Sequence, residues 1–151
     1  MSKWVRWTAP VAALVSVSST PANAVLYLSV AEAQKAAFPS ASFTPVENGR
    51  VWRASTGGIF VLDHVIGKHL YIDYAVSIVG GRVRRVDILA YRESYGGEIR
   101  SPSWLAQFVG KSSGSALKIG NDIRNISGAT LSCLHVTEGV KRILAAYGHL
   151  R

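Results

Sequence analysis

Ile59-Phe60-Val61-Leu62-Asp63-His64-Val65-Ile66, His69-Leu70-Tyr71-Ile72-Asp73-Tyr74-Ala75-Val76-Ser77-Ile78-Val79 and Arg82-Val83-Arg84-Arg85-Val86-Asp87-Ile88-Leu89-Ala90-Tyr91 decide the fold. All three runs are rich in β-branched and aromatic residues. Gly57-Gly58 precedes the first, Gly67-Lys68 separates it from the second, and Gly80-Gly81 separates the second from the third. Strand-forming runs joined by glycine turns predict an antiparallel meander. In the third run Val83, Val86, Ile88 and Ala90 are the expected core positions, and the step from 83 to 86 breaks the alternation as a bulge would. Arg50-Val51-Trp52-Arg53-Ala54 adds a shorter strand upstream.

Helices flank this sheet in the sequence. Ser29 with Glu32 three residues later is a capping-box pattern, and the helix it opens runs from Val30 to Phe38, stopped by Pro39. Ser103-Trp104-Leu105-Ala106-Gln107-Phe108, between Pro102 and Gly110, is a short helix, and residues 111–120 are small and flexible enough for a loop. Leu131, Leu134, Val140, Ile143, Leu144 and Tyr147 fall on helical spacing, with Gly148 at the expected C′ position. The expected fold is therefore α+β: an antiparallel sheet with an N-terminal and a C-terminal helix packed on it. A chain of 151 residues, 48% of them hydrophobic, has enough apolar surface for one such core without disulfides or a structural metal.

The first 24 residues have the order of a secretory signal peptide. Lys3 and Arg6 lead into an apolar stretch from Ala9 to Val17, and Ala22-Asn23-Ala24 supplies the small-x-small cleavage site. That stretch is shorter than the ~20 residues a membrane-spanning helix needs. The expected mature domain is 25–151, outside the cytoplasm, in the manner of a bacterial periplasmic protein. The lone Cys133 permits no internal disulfide and lacks the partners of a CxxC, haem or zinc motif, so a buried structural thiol is expected. His135 is expected to be structural as well. The formal charge is +8; without Lys3 and Arg6 there remain 15 basic and 9 acidic residues, or +6. Such an excess favours a binding surface for something acidic: nucleic acid, anionic lipid, an acidic redox partner or a bound phosphate. Its densest group, Arg82 to Arg85, sits in an alternating strand where a solvated face is the simpler reading, and export argues against nucleic acid.

The segment Asp122-Ile123-Arg124-Asn125-Ile126-Ser127-Gly128-Ala129-Thr130-Leu131-Ser132 runs small residues into the start of the last helix. Gly128 and Ala129 put no bulk beside the Thr130 hydroxyl, and free amides at a helix start favour a phosphate. The structural alternative is that Ser127 or Thr130 merely caps the helix.

Ser127-Gly128-Ala129-Thr130 resembles the flavinylation motif of the FMN-binding domain family, which has members in the sodium-pumping NADH:quinone reductase and in the Rnf electron-transport complex. The similarity extends upstream in order: the strand entered from Gly81, the loop Glu93-Ser94-Tyr95-Gly96-Gly97-Glu98-Ile99, and the aromatic helix Trp104 to Phe108. In two places the chain departs from the pattern. Arg124 stands three positions before the motif serine, where relatives usually carry an acidic residue, with Asp122 further upstream. Tyr95 and Gly97-Glu98 stand where many relatives have Pro and Leu-Gly.

The resemblance implies FMN carried covalently, joined by a flavin transferase through a phosphoester bond to Thr130. It further implies that Ser127, Gly128 and Ala129 form the close-approach turn and that Ser132 donates to the phosphate. Glu93, Ser94, Tyr95, Gly96 and Gly97 would line the ribityl chain or ring edge, with Trp104 beside the ring or in the core. The implied role is electron relay between a membrane cytochrome or flavocytochrome and an exported acceptor. No GxGxxG fingerprint and no acid–base pair is visible, so a carrier is expected and not a self-sufficient enzyme. A basic periplasmic module holding an anionic ligand at the same helix terminus, without redox chemistry, is the alternative; a flavin-dependent reductase acting on a small substrate is a third.

Overall fold

A computed structural model describes residues 25–151. The leader, with its expected cleavage site, lies outside the described residues. Six strands form one antiparallel sheet: β1 (Val25–Leu26), β2 (Phe43–Glu47), β3 (Val51–Ala54), β4 (Ile59–Ile66), β5 (Tyr71–Val79) and β6 (Arg82–Tyr91), in the order β1-β6-β5-β4-β3-β2. Three helices accompany it: α1 (Val30–Ala37), α2 (Pro102–Leu105), which continues into a 3-10 turn at Ala106–Phe108, and α3 (Thr130–Tyr147). The α+β fold with a helix from each end of the chain is as the sequence implies.

The period-two alternation sorts the sheet into two faces. Ile59 and Val61, Ile72 and Val76, and Val83, Val86 and Ile88 turn toward α3, which meets them with Cys133, Val136, Val140, Ile143 and Leu144. Phe60, Ala75 and Leu89 turn the other way, onto Ala33, Ala37 and Phe38 of α1 and the residue after it. The irregular step in β6 is a pair of bulges. Ser77 pairs with Arg85 but Ile78 with Val83, and Asp73 pairs with Ala90 but Tyr74 with Ile88. Arg84 and Leu89 are the unpaired residues, and the first of them is what lets Val83 and Val86 share a face.

The capping box of α1 is present in both directions: Glu32 N–H donates to Ser29 Oγ at 3.2 Å, and Ser29 N–H donates to Glu32 Oε2 at 2.8 Å. Several expectations need correction. β1 and β2 are additional strands, and β2 carries Pro45, which an edge strand tolerates because its outer side needs no donor. The second run starts its strand at Tyr71, two residues later than His69. Leu131 and Leu134 are 43% and 36% exposed, so the buried stripe of α3 runs instead through Cys133, Val136, Thr137 and Val140. Gly148 keeps a right-handed conformation at φ −62°, in place of a left-handed C′ turn.

Two contacts fix α3 lengthwise. At its start, His135 Nδ1 lies 2.5 Å from the Ile66 carbonyl and 3.0 Å from that of Gly67, at the tip of the β4–β5 hairpin. At its end, Gly148 O approaches the position a Cβ on Gly81 would take, 3.0 Å away, at the β5–β6 turn. The helix thus spans the sheet from one set of strand ends to the other, and Thr130 is delivered beside the β4–β5 tip.

Candidate functional site

Thr130 is the first residue of α3 and is exposed. The N-cap position belongs to Ala129, whose side chain makes no cap, so neither Ser127 nor Thr130 serves as the cap residue. Cys133 N–H is the first to close an α-helical bond, to Ala129 O at 2.9 Å. The amides of Thr130, Leu131 and Ser132 have no acceptor among the described residues, as the first turn of an uncapped helix requires. Asn125 Nδ2 donates to Thr130 Oγ1 at 3.1 Å and so orients the hydroxyl from the side of the incoming loop.

Gly128 permits the turn that precedes the helix. Its φ is +85°, a left-handed conformation that glycine adopts at little cost, and a Cβ there would meet nothing within 4 Å. The space beside it belongs to a cleft of approximately 540 Å³. One wall is Gly128 to Ser132, the second is Glu93, Ser94 and Tyr95, and the third is Lys68 and His69 from the β4–β5 turn. Ser94 and Tyr95 also form the near wall of a second cleft of approximately 800 Å³, which continues past Gly96 and Gly97 to Arg100, Trp104, Arg124 and Asn125. The structure therefore brings together the motif turn and the Glu93–Gly97 loop, with the loop as a ridge between two clefts.

Beneath the ridge the packing is tight. Tyr91 Oη donates to the Tyr95 carbonyl and lies 3.3 Å from Ser132 Oγ. Burial holds the Tyr91 phenol above its ordinary range, so it remains a protonated donor. Gly96, at φ +86°, has no room for a side chain: a Cβ would sit 2.6 Å from Tyr91 Oη and 3.3 Å from Ala129 Cβ. One phenol thus ties the loop to the start of α3. Ser132 is buried with its hydroxyl at that junction, whereas Ser127 and Ser94 are exposed.

Glu93 faces the hairpin tip. Its Oε1 accepts from the amides of His69 and of Leu70, the latter at 2.7 Å. Burial raises this carboxyl, but the amides of His69, Leu70 and Lys68 outweigh burial and hold it below the usual carboxylate range. Tyr95 is the most exposed large side chain here, at 85%. Trp104 is only 4% exposed: its indole packs edge-on against Phe108 at 5.1 Å, and Nε1 donates to Arg124 O at 2.7 Å. Trp104 is therefore a core aromatic that contributes little exposed surface to the second cleft it lines.

That bond also fixes the backbone at Arg124. Its backbone is held between Trp104 and Gln107, whose Oε1 accepts from Arg124 N–H at 2.8 Å. Asp122, two residues upstream, is engaged within its own loop. Its two oxygens accept from Lys118 and Leu117 amides at 2.9 and 3.0 Å, and Lys111 Nζ lies 3.2 Å away. The Lys118 amide leads in pulling the Asp122 carboxyl down, to about 2. Cys133 is fully buried, and burial raises its thiol, as expected of a structural cysteine. The site members missed from sequence are Tyr91, Asn125, Lys68 and His69. Of these only Asn125 lies in the motif segment.

The arrangement fits a flavin nucleotide. An accessible hydroxyl, three free amides and the cation of Lys68 suit a phosphate diester, and the clefts are of the size that holds a cofactor. Among the described residues no group of His, Cys, Asp and Glu is placed to hold a metal, and no helix is long and apolar enough to cross a membrane. No curated protein matches the chain. The family model for the FMN-binding domain matches residues 67–145, slightly more than half of the chain.

Proposed function

The chain belongs to the FMN-binding domain family, and on that footing we propose that it carries FMN covalently on Thr130 and works outside the cytoplasm as an electron relay. The observation that carries this reading is the Thr130 hydroxyl: exposed, at an uncapped helix start, and opening on the 540 Å³ cleft.

In the proposed maturation a flavin transferase presents FAD. Thr130 Oγ1 attacks the phosphorus on the flavin side, the new O–P bond forms as the pyrophosphate P–O bond breaks, AMP leaves, and the hydroxyl proton passes to solvent. Asn125 holds Oγ1 in place through Nδ2. The amides of Thr130, Leu131 and Ser132 then face the negative phosphoester, where the helix macrodipole adds to their hydrogen bonds. Lys68 lies across the same cleft. Ser127, Gly128 and Ala129 leave the approach clear, and Ser132 supports the turn from beneath through Tyr91. Glu93, Ser94, Tyr95, Gly96 and Gly97 form the ridge along which the ribityl chain and ring would lie.

When bound, the flavin supplies the redox chemistry, and the protein supplies position, ring exposure and local charge. An electron relay needs its cofactor edge accessible to a partner, and open clefts at the molecular surface suit that need. The proposed donor is a membrane cytochrome or flavocytochrome and the acceptor another exported redox protein. The leader-like residues 1–24 support export.

Intact mass of the protein co-expressed with a flavin transferase tests the proposal. The expected product is heavier by one FMN less water, with the adduct on the peptide containing Thr130 and lost in Thr130→Ala. A wild-type chain that stays at its unmodified mass, or an adduct retained by Thr130→Ala, overturns it.

A further inference from the structure

Among the described residues, six of the ten large apolar side chains that stand exposed gather at one corner of the molecule: Ile66, Leu70, Tyr71, Tyr95, Leu131 and Leu134. Their proximity follows from the fold. Ile66 and Tyr71 are paired across the end of the β4–β5 hairpin, with Leu70 in the turn between them. His135 reaches the Ile66 carbonyl, which brings Leu131 and Leu134, one turn and one residue before it, alongside the hairpin. Leu131 and Tyr95 share the Thr130 cleft with Lys68 and His69. Isolated exposed leucines need no explanation, but a gathered apolar surface on one corner does.

We propose that this corner rests on an anionic lipid surface, with the hairpin tip and the first turns of α3 entering the headgroup layer and Lys68 meeting lipid phosphates. Three features favour lipid over a protein partner. The corner is built from a hairpin turn beside the start of a long helix, short segments that each present apolar side chains to solvent. Its four aliphatic side chains with two tyrosines and a lysine are the mixture that interfacial segments use, an apolar body with polar or cationic margins. The charge is complementary to an anionic bilayer: 15 basic against 9 acidic residues from Val25 onward. The nearby acids do not oppose this. Glu93 accepts from the His69 and Leu70 amides, Asp73 is paired with Arg92 at 2.7 Å, and Glu138, one turn beyond Leu134, shares its cleft with the cation of Arg142 as well as with Ile66 and Tyr71. The corner is the one that bears Thr130, so docking there would hold the proposed cofactor beside the membrane.

The surface exists whether or not Thr130 is modified, so the test uses full-length Thr130→Ala protein, which keeps the outcome separate from flavin attachment. A polarity-sensitive dye is placed at Leu70→Cys or, as a control, at Val79→Cys, which is 39% exposed at the opposite end of β5. Buried Cys133 does not compete for the dye. With vesicles of equal parts phosphatidylglycerol and phosphatidylcholine, a blue shift is expected at position 70 and none at 79. Adding Leu134→Glu should weaken the response about tenfold, the effect of keeping one leucine out of an apolar phase. A silent dye at 70 overturns the proposal and returns the corner to a protein partner. Equal shifts at 70 and 79, or an equal response to phosphatidylcholine alone, overturn it too.

Discussion

Replacing Gly96 by alanine tests whether the close packing beneath the ridge holds the site together. Two costs are readable from the structure. The backbone sits at φ +86°, and an L-residue in the left-handed region loses about 1–2 kcal/mol relative to glycine. The new methyl would also lie 2.6 Å from Tyr91 Oη and 3.3 Å from Ala129 Cβ. Tyr91 must then move away from the Tyr95 carbonyl and Ser132, and a buried hydroxyl left without its partner costs about 1–3 kcal/mol. Together Gly96→Ala should destabilise by roughly 2–5 kcal/mol, or a melting temperature lower by roughly 8–20 °C in a domain of this size. Gly128→Ala is the matched comparison. Its φ is +85° but its Cβ would meet nothing, so only the conformational cost remains, roughly 1–2 kcal/mol and about 4–8 °C. Thermal melts followed by circular dichroism at one protein concentration give both numbers. Equal losses for the two variants would refute the steric argument and with it the role given to Tyr91.

Other substitutions probe the supports of the site. Gly139→Ala should destabilise by about 2 kcal/mol or more despite the better helix propensity of alanine, because its methyl would run into the buried Tyr74 hydroxyl that donates to Asp63 at 2.9 Å; urea midpoints check this. Trp104→Phe removes the indole bond to Arg124 O and should cost about 1–2 kcal/mol, with faster hydrogen exchange at the Arg124 amide, whose acceptor Gln107 extends from the same turn. Asp122 has a folded-state carboxyl held at about 2, below its ordinary 3.8, so its contribution is complete above about pH 4 and lost as pH falls toward 2. Asp122→Asn should therefore be less stable than wild type at neutral pH, with the gap closing across that acid range; parallel slopes of stability against pH would contradict the assignment.

The parts of the fold legible in the sequence are those governed by near neighbours. The bounds of β4 and β6, the capping box at Ser29 and the glycine turns each follow from local rules. β2 is hidden because Pro45 argues against a strand unless the strand is known to lie at an edge, and edge position is a tertiary fact. The face of α3 is misleading for a similar reason. Leucines at 131 and 134 outweigh Cys133, Thr137 and Gly139 on any hydrophobicity scale, yet the sheet selects the small residues, because Tyr74 approaches Gly139 too closely for a larger one.

The same division runs through the site. Ser127-Gly128-Ala129-Thr130 is contiguous, so its turn and its hydroxyl can be read directly. The walls of the cleft cannot: His69 meets Glu93 across 24 residues of chain, and Tyr91 meets Ser132 across 41. These meetings depend on the register of β5 against β6, including the bulge at Leu89 that resets the alternation just before Tyr91. Adding or removing one residue between Leu89 and Tyr91 would turn the phenol to the α1 face while leaving every motif residue in place. Such a chain would keep the acceptor threonine without the ridge beside it. The motif supplies the chemistry, and the sheet register supplies the cleft in which that chemistry has room to occur.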